Sequence, residues 1–490
     1  MYFSKQTFFI LGVSRSGASA AEFLLKRGAR VYLYDEIVGD RIEQTMQDLQ
    51  SLGARRIEKE KLGEACEVCD ALVLSPGVPI DHPLAIAFKR NGKAVVGETE
   101  LAARYMRCPI VAITGTNGKT TTVTMLTEVL KKGGYSAQAC GNIGAPMIGF
   151  CDMGENEIAV AEISSFQLET LNSIRPHVSV VLNVTEDHLN RHYNMENYVF
   201  LKSKLLKNCT GAEYAVLNYD DETVRNFAGK TKAQTLFFSV RERVKGAFYE
   251  NGDLFFGKER IMSADELPTG GLHNVQNALA TIAVAKILGV KTKDIVSALC
   301  DFKGVKHRIE TVAEIDGVLY VDDSKGTNVD ATLKAIASMK RETVLLLGGK
   351  HKGYDYNALF SVLEESKVAH AVLYGENRFA LFKAARENRY HKITLCDDFE
   401  FAVKVAALKA QPGQTVLLSP ASASFDQFAN YEERGDKFVE IIRSFEAVKQ
   451  QEEKCLEECE EECFDSVKSD GELDDMELIE DAERTEEGEE

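Results

Sequence analysis

The sequence predicts an α/β protein of three domains ending in an acidic tail, and three observations carry that prediction. Apolar strand-like runs alternate with helical patterns in three successive blocks. A turn rich in glycine and threonine, Thr114-Gly115-Thr116-Asn117-Gly118-Lys119-Thr120-Thr121, joins a strand to a helix in the second block. At 490 residues the chain exceeds what a single core ordinarily supports. The expected domains are 1–107, 108–303 and 304–445, followed by a tail at 446–490 expected to be extended or disordered.

The first block opens with Thr7-Phe8-Phe9-Ile10-Leu11-Gly12, the pattern of a buried strand. A helical stretch from Ala18 to Arg27 follows, then a second strand from Arg30 to Tyr34 that ends at Asp35. Another strand, Ala71 to Leu74, is broken by Ser75-Pro76-Gly77. Gly12-Val13-Ser14-Arg15-Ser16-Gly17 resembles the dinucleotide fingerprint GxGxxG, with Ser14 in place of the middle glycine. Asp35 stands where an acid accepts hydrogen bonds from ribose hydroxyls. A Rossmann-like domain that binds a nucleotide-like phosphate is expected, with only modest support for a nicotinamide cofactor.

The second block starts near Arg107-Cys108-Pro109 with a strand from Ile110 to Ile113. Glycines in the loop that follows let backbone N–H groups face phosphate oxygens, and the helix beyond it (Val123 to Leu130) adds its positive end. Lys119 is placed to meet the β- and γ-phosphates of a nucleotide, and the Thr120 hydroxyl to ligate Mg²⁺. Ile113 stands where the longer form of this motif has glycine, so the loop is a GxxGKT variant of a central P-loop ATPase-like domain. Glu162 closes the strand from Glu157; from there a carboxylate reaches a nucleotide-bound metal, or caps a helix. Thr185-Glu186-Asp187-His188 follows the strand at 178–183, and His188 on its own suits a structural role as well as a functional one. A helix rich in alanine, from Asn274 to Leu288, closes the block.

The third block has strands at Val318–Val321, Thr343–Leu347, Ala371–Tyr374 and Thr415–Leu418, giving a C-terminal Rossmann-like α/β domain. Polar groups gather beyond three of them, at Asp322–Asn328, Gly348–Lys352 and Ser419–Ser424, which suggests one cleft for an anionic ligand.

Composition narrows the function classes. The net charge of −18 belongs to the tail: Glu446–Glu490 holds 21 acidic against 4 basic residues, leaving 55 against 54 in the preceding chain. A balanced body offers no basic face for nucleic acid. No apolar run approaches the ~20 residues of a membrane span, and the N-terminus has no signal-peptide pattern, so a cytoplasmic location is expected. Of the 11 cysteines, eight are scattered singly or in the lone pair Cys66 and Cys69, and reduced, partly buried thiols are expected. Cys455, Cys459 and Cys463 fall on one face if the tail is helical, which leaves open a solvated tail, metal capture or redox sensing.

Seven ordered segments between residues 7 and 445 resemble the Mur ligases, three-domain ATP-dependent amide-forming enzymes of peptidoglycan synthesis. They are Gly141–Gly144, Glu162–Glu169, Asn183–His188, His273–Asn277, His307–Glu310, Asp323–Asn328 and Ser419–Phe428. The resemblance is greatest to members that add D-glutamate to UDP-N-acetylmuramoyl-L-alanine through an acyl phosphate. It implies that Ser14, Arg15, Ser16, Gly17, Asp35, Ser75, Pro76 and Gly77 hold the UDP part, with Asn142 at the muramoyl end. ATP falls to Gly115–Thr121, Asn274, Asn277, Arg308 and Asp323, and two Mg²⁺ ions to Thr120, Glu162, His188 and Lys202. Lys119, His188 and Lys202 are the implied catalytic set, with Lys202 matching a lysine that the family carries as a carbamate. Lys325, Thr327, Lys352, Ser424 and Tyr431 are implied for D-glutamate. Ser422 stands where members often have cysteine, and Tyr431 where some have phenylalanine. A monomer acting on small molecules is expected. A family member with another acceptor, a nicotinamide oxidoreductase and a non-catalytic binding protein are the competing classes.

Overall fold

The computed structural model describes residues 3–36, 39–268, 271–351 and 355–469. Its first sheet holds β1 (Thr7–Leu11), β2 (Arg30–Tyr34), β3 (Arg55–Arg56), β4 (Ala71–Leu74) and β5 (Ala94–Gly97). All pairings are parallel, in the order β3-β2-β1-β4-β5. Every residue of β1 and β4 is buried, as befits parallel strands covered on both faces. Strand order reverses between β1 and β4, so the loops leaving their C-terminal ends flank one crevice. The helix after β1 approaches the strand closely because residue 17 lacks a side chain: a Cβ there would stand 1.9 Å from the Gly12 carbonyl oxygen.

The second sheet has nine strands. They are β6 (Ile110–Thr114), β7 (Ser136–Gly141), β8 (Glu157–Glu162), β9 (Val178–Val181), β10 (Tyr214–Asn218), β11 (Gln234–Ser239), β12 (Gly246–Glu250), β13 (Asp253–Phe256) and β14 (Glu259–Ser263). Their order is β14-β13-β12-β11-β10-β9-β6-β8-β7, which puts β6 between β8 and β9. The loops carrying residues 115–118, 163 onward and 182–188 therefore leave neighbouring strand ends. The antiparallel turn from β12 to β13 adds strands not anticipated from sequence. Its signal was present in Asn251-Gly252, whose φ angles of 49° and 90° are those of a tight hairpin.

The third sheet contains β15 (Glu310–Ile315), β16 (Val318–Asp322), β17 (Thr343–Gly348), β18 (Val368–Tyr374), β19 (Ile393–Leu395) and β20 (Thr415–Leu418). The order β15-β16-β20-β17-β18-β19 inserts β20 between β16 and β17 and gathers the three polar strand ends.

The first two domains share a hydrophobic cluster that runs from Phe8 and Val96 to Met147, Leu168 and Leu205. Buried acids fasten the same seam. Glu98 Oε1 accepts the Ile148 N–H at 2.6 Å, and Glu100 Oε2 accepts those of Asn172 and Ser173 at 2.7 and 3.0 Å. The two clusters of the third domain contain only its own residues.

The tail departs from expectation. The last helix runs without a break from Tyr431 to Ser469, so residues 446–469 are helical rather than extended. Phe438, Ile441 and Ile442 anchor its start in the core, which removes the nucleation cost, and the Glu-, Lys- and Gln-rich continuation has good helix propensity. Residues 470–490 lie outside the described residues. The eight cysteines from Cys66 to Cys396, all among the described residues, are free thiols, seven of them buried and Cys300 half-buried. No helix among the described residues is long and apolar enough to cross a membrane.

Candidate active site

The phosphate loop is set by its two glycines. Gly115 and Gly118 take φ of 158° and 83°, and Gly118 precedes the helix Lys119–Lys132. A Cβ on Gly118 would stand 2.5 Å from Asn277 Oδ1, so the position excludes a side chain on two grounds. Asn183, beyond β9, holds the loop from outside: its Oδ1 accepts the Asn117 N–H at 2.8 Å and its Nδ2 donates to the Asn117 carbonyl at 3.1 Å. Lys119 Nζ donates to the carbonyls of Gly115 and Thr116 at 2.9 and 2.8 Å. Burial lowers its pKa, against the pull of Glu162 and Asp187.

A cleft of about 160 Å³ opens over this loop. It is lined by Thr116–Thr121, Asn142, Glu162, Asp187 and His188 of the second domain, and by Arg308, Lys325, Thr327, Asn328 and Tyr431 of the third. The structure thus brings together residues from the ATP, metal and amino-acid sets read from the sequence. Asn142 Nδ2 donates to Glu162 Oε1 at 2.8 Å, whereas Glu162 Oε2 is buried and has no hydrogen-bond partner among the described residues. A buried carboxylate oxygen without a donor, beside a hydroxyl and an imidazole, fits an oxygen-seeking cation. His188 takes φ 54° and rests on Phe166, ring centroids 4.8 Å apart. Lys202 is buried behind the loop with its Nζ 4.5 Å over the Tyr198 ring. Burial first, and then the Lys119 charge, pushes its pKa well below the ordinary lysine value, with Asp187 opposing.

From the third domain, half-buried Lys325 donates from Nζ to the Tyr431 hydroxyl at 2.8 Å, and burial lowers its pKa to about 8. Asp323 accepts the Ser419 hydroxyl at 2.7 Å through Oδ2, while its buried Oδ1 faces Arg308 at 3.6 Å; burial raises this carboxyl to about 6. A second, smaller pocket of about 20 Å³ lies against Gly118, Asn183, His273, Asn277, Arg308 and Lys334. Asn277 Nδ2 donates to Asn274 Oδ1 at 3.3 Å on the first turns of the helix Leu272–Ile287.

The remaining sequence candidates lie elsewhere. Ser14, Arg15, Ser16 and Gly17 follow β1, Asp35 follows β2, and Ser75, Pro76 and Gly77 follow β4, around the crevice of the first sheet. Ser14 and Ser75 share a hydrogen bond of 3.1 Å, and Asp35 Oδ2 accepts the Val13 N–H at 2.6 Å. Arg15 donates to the Asn142 carbonyl at 3.3 Å, which links this crevice to the cleft. Ser424 is buried and does not line the cleft; Lys352 lies outside the described residues. Sequence reasoning missed Arg191, which pairs with Glu169 at 2.9 and 2.6 Å and donates to the carbonyls of Pro76, Gly77 and Val78. It also missed Asp330, an acid in the first turn of the helix Val329–Ser338, two residues beyond the Asp323–Asn328 segment.

Two family models match the chain: the Mur ligase middle domain over residues 113–285, and the Mur ligase glutamate ligase domain over residues 307–422. The chain belongs to the Mur ligase family, a class of ATP-dependent ligases. Among its relatives, the UDP-N-acetylmuramoylalanine--D-glutamate ligase of Pelotomaculum thermopropionicum is 41% identical over 449 residues, covering 90% of this chain and 98% of the relative. The enzyme of the same name from Clostridioides difficile is 37% identical, covering 89% and 98%. In fold, the chain is similar to the UDP-N-acetylmuramate-alanine ligase of Thermotoga maritima, with a TM-score of 0.59 at 18% identity over 90% of this chain and 99% of that one.

Proposed function

We propose that this chain joins D-glutamate to UDP-N-acetylmuramoyl-L-alanine at the expense of ATP, a step in building the peptidoglycan precursor. One observation carries the reading beyond the family: a single cleft joins the phosphate loop to Lys325, Thr327 and Tyr431 of the third domain. A nucleotide alone has no need of the second set. The relatives that cover nearly the whole chain bear this activity in their names.

In the first stage a carboxylate oxygen of the alanine stem attacks the γ-phosphorus and ADP leaves, giving an acyl phosphate. In the second the D-glutamate amine attacks the acyl carbon, loses a proton, and phosphate departs as the amide forms. Lys119 and Arg308 neutralise phosphate charge, and Asn142 orients Glu162. Thr120, Glu162, His188 and Lys202 would hold two Mg²⁺ ions, which screen the repulsion between carboxylate and triphosphate. A buried amine kept neutral is the form that takes up carbon dioxide, so Lys202 would serve as a carbamate, an oxygen ligand in place of a cation. Lys325 meets a carboxylate of the acceptor. The crevice between β1 and β4 takes the UDP group, its hydroxyls and backbone N–H groups suiting a pyrophosphate. The protein works as a cytoplasmic monomer, and its 446–490 extension stands apart from catalysis.

Phosphate release from ATP with UDP-N-acetylmuramoyl-L-alanine tests the reading, comparing D-glutamate, L-glutamate, meso-diaminopimelate and L-alanine. Release is expected with D-glutamate. Preference for another acceptor overturns the substrate assignment, and silence with all four overturns the ligase itself.

A further inference from the structure

Asn117 sits in the phosphate loop and lines the cleft, yet its carboxamide Nδ2 bonds outside the loop. The backbone of Asn117 is already held on both sides by Asn183. Its Nδ2 instead donates across the domain boundary to the Asp330 carboxylate, on the first turn of the helix Val329–Ser338. The same oxygen, Oδ2, accepts the Thr185 hydroxyl at 3.2 Å and Lys334 Nζ at 2.8 Å. Two residues earlier, Asn328 caps this helix by accepting the Ala331 N–H at 2.8 Å and donates from Nδ2 to Asp187 Oδ2 at 3.3 Å. One helical turn of the third domain therefore grips the loops after β6 and after β9 together. The segment feeding that turn carries Lys325 and Thr327.

An acid this close to a triphosphate site carries a Coulombic penalty. Lys334 offsets part of it, but a carboxylate serving only its own helix N-terminus would need no bond to the opposite domain. We propose that Asp330 is a positioning residue: by accepting Asn117 it ties the phosphate loop to the acceptor-binding segment. This sets the distance between the activated carboxyl and the incoming amine. The proposal rests on the ligase reading above. The two hydrophobic clusters of the third domain contain only its own residues, so these polar bonds span a boundary that neither cluster crosses. The bond is charge-assisted and partly shielded, with Asp330 28% exposed, so it is of the stronger kind.

A double-mutant cycle tests the coupling, with Asn117→Ala, Asp330→Ala and both together assayed by D-glutamate-dependent phosphate release. Each single change is expected to lower kcat about 10–100-fold, the weight of one charge-assisted hydrogen bond. The double variant should fall no more than about threefold below the worse single one, because the two residues act as a unit. Asp330→Asn, which keeps an acceptor oxygen for Asn117, should recover most of the rate. The KM for ATP should stay within about threefold in Asp330→Ala, since phosphate contacts are untouched. Multiplicative losses, an unchanged kcat in Asp330→Ala, or no rescue by asparagine overturn the coupling. Wild-type protein with no D-glutamate-dependent release overturns the ligase reading instead, so the two failures are distinct.

Discussion

Lys119→Ala sets two magnitudes against each other. In the ligand-free loop the ammonium donates to two carbonyls at 2.9 and 2.8 Å. Losing them costs about 0.5–1.5 kcal/mol each. Removing a lysine whose pKa burial has lowered returns part of that sum, because folding no longer has to desolvate the charge. The net change in stability should stay within about 1–2 kcal/mol, and the melting transition should move by only a few degrees. Catalysis has no such compensation. Charge builds on the transferred phosphoryl group, and loss of one preorganised donor of this kind costs about 10²–10³ in rate, or about 2.7–4 kcal/mol. Steady-state phosphate release, with thermal melting on the same preparation, separates the two effects. A folded variant retaining more than about a third of the wild-type kcat/KM would refute the role given to this loop.

Three further outcomes are expected. Lys325 loses its proton as pH rises through about 8, so the KM for D-glutamate should climb about tenfold per pH unit above that point. Lys325→Arg should abolish this alkaline limb, and a limb that persists excludes Lys325 as its source. The sign for stability is opposite: between about 8 and the ordinary lysine value of 10.5 the unfolded chain binds the extra proton, so this group makes the fold more stable as pH rises. Gly118→Ala meets the left-handed backbone penalty of about 1–2 kcal/mol and the contact with Asn277. Isothermal titration should show nucleotide affinity down at least about tenfold, and unchanged affinity would contradict the loop geometry. Deleting residues 452–490 leaves the hydrophobic clusters as they stand among the described residues, where the last member is Phe445. Turnover should stay within about twofold, and a larger loss would give the extension a part in catalysis.

Local chemistry was legible in the sequence wherever it is carried by consecutive residues. The strand–loop–helix around Lys119, the strand ending at Glu162 and the strand from Thr415 to Leu418 appear where the pattern puts them, because apolar runs and glycine turns are short-range signals. The hairpin at Asn251-Gly252 was equally local and was overlooked. The helical course of residues 446–469 depends on the anchored turn before it, so composition alone pointed the other way.

By itself, the sequence determined the phosphate loop, the alternation of strands and helices, the acidic extension and, through seven ordered segments, the family. Tertiary structure alone decided which strand ends meet. Inserting β20 between β16 and β17, and β6 between β8 and β9, is a long-range pairing that no window of residues encodes. The partners of Asn117 and Asp330 lie 213 positions apart in the chain, and Arg191 reaches back more than a hundred to the Ser75–Gly77 turn. Lys202 reads as an ordinary helical lysine until the fold buries it, and desolvation, a property of the packed state, is what lowers its pKa.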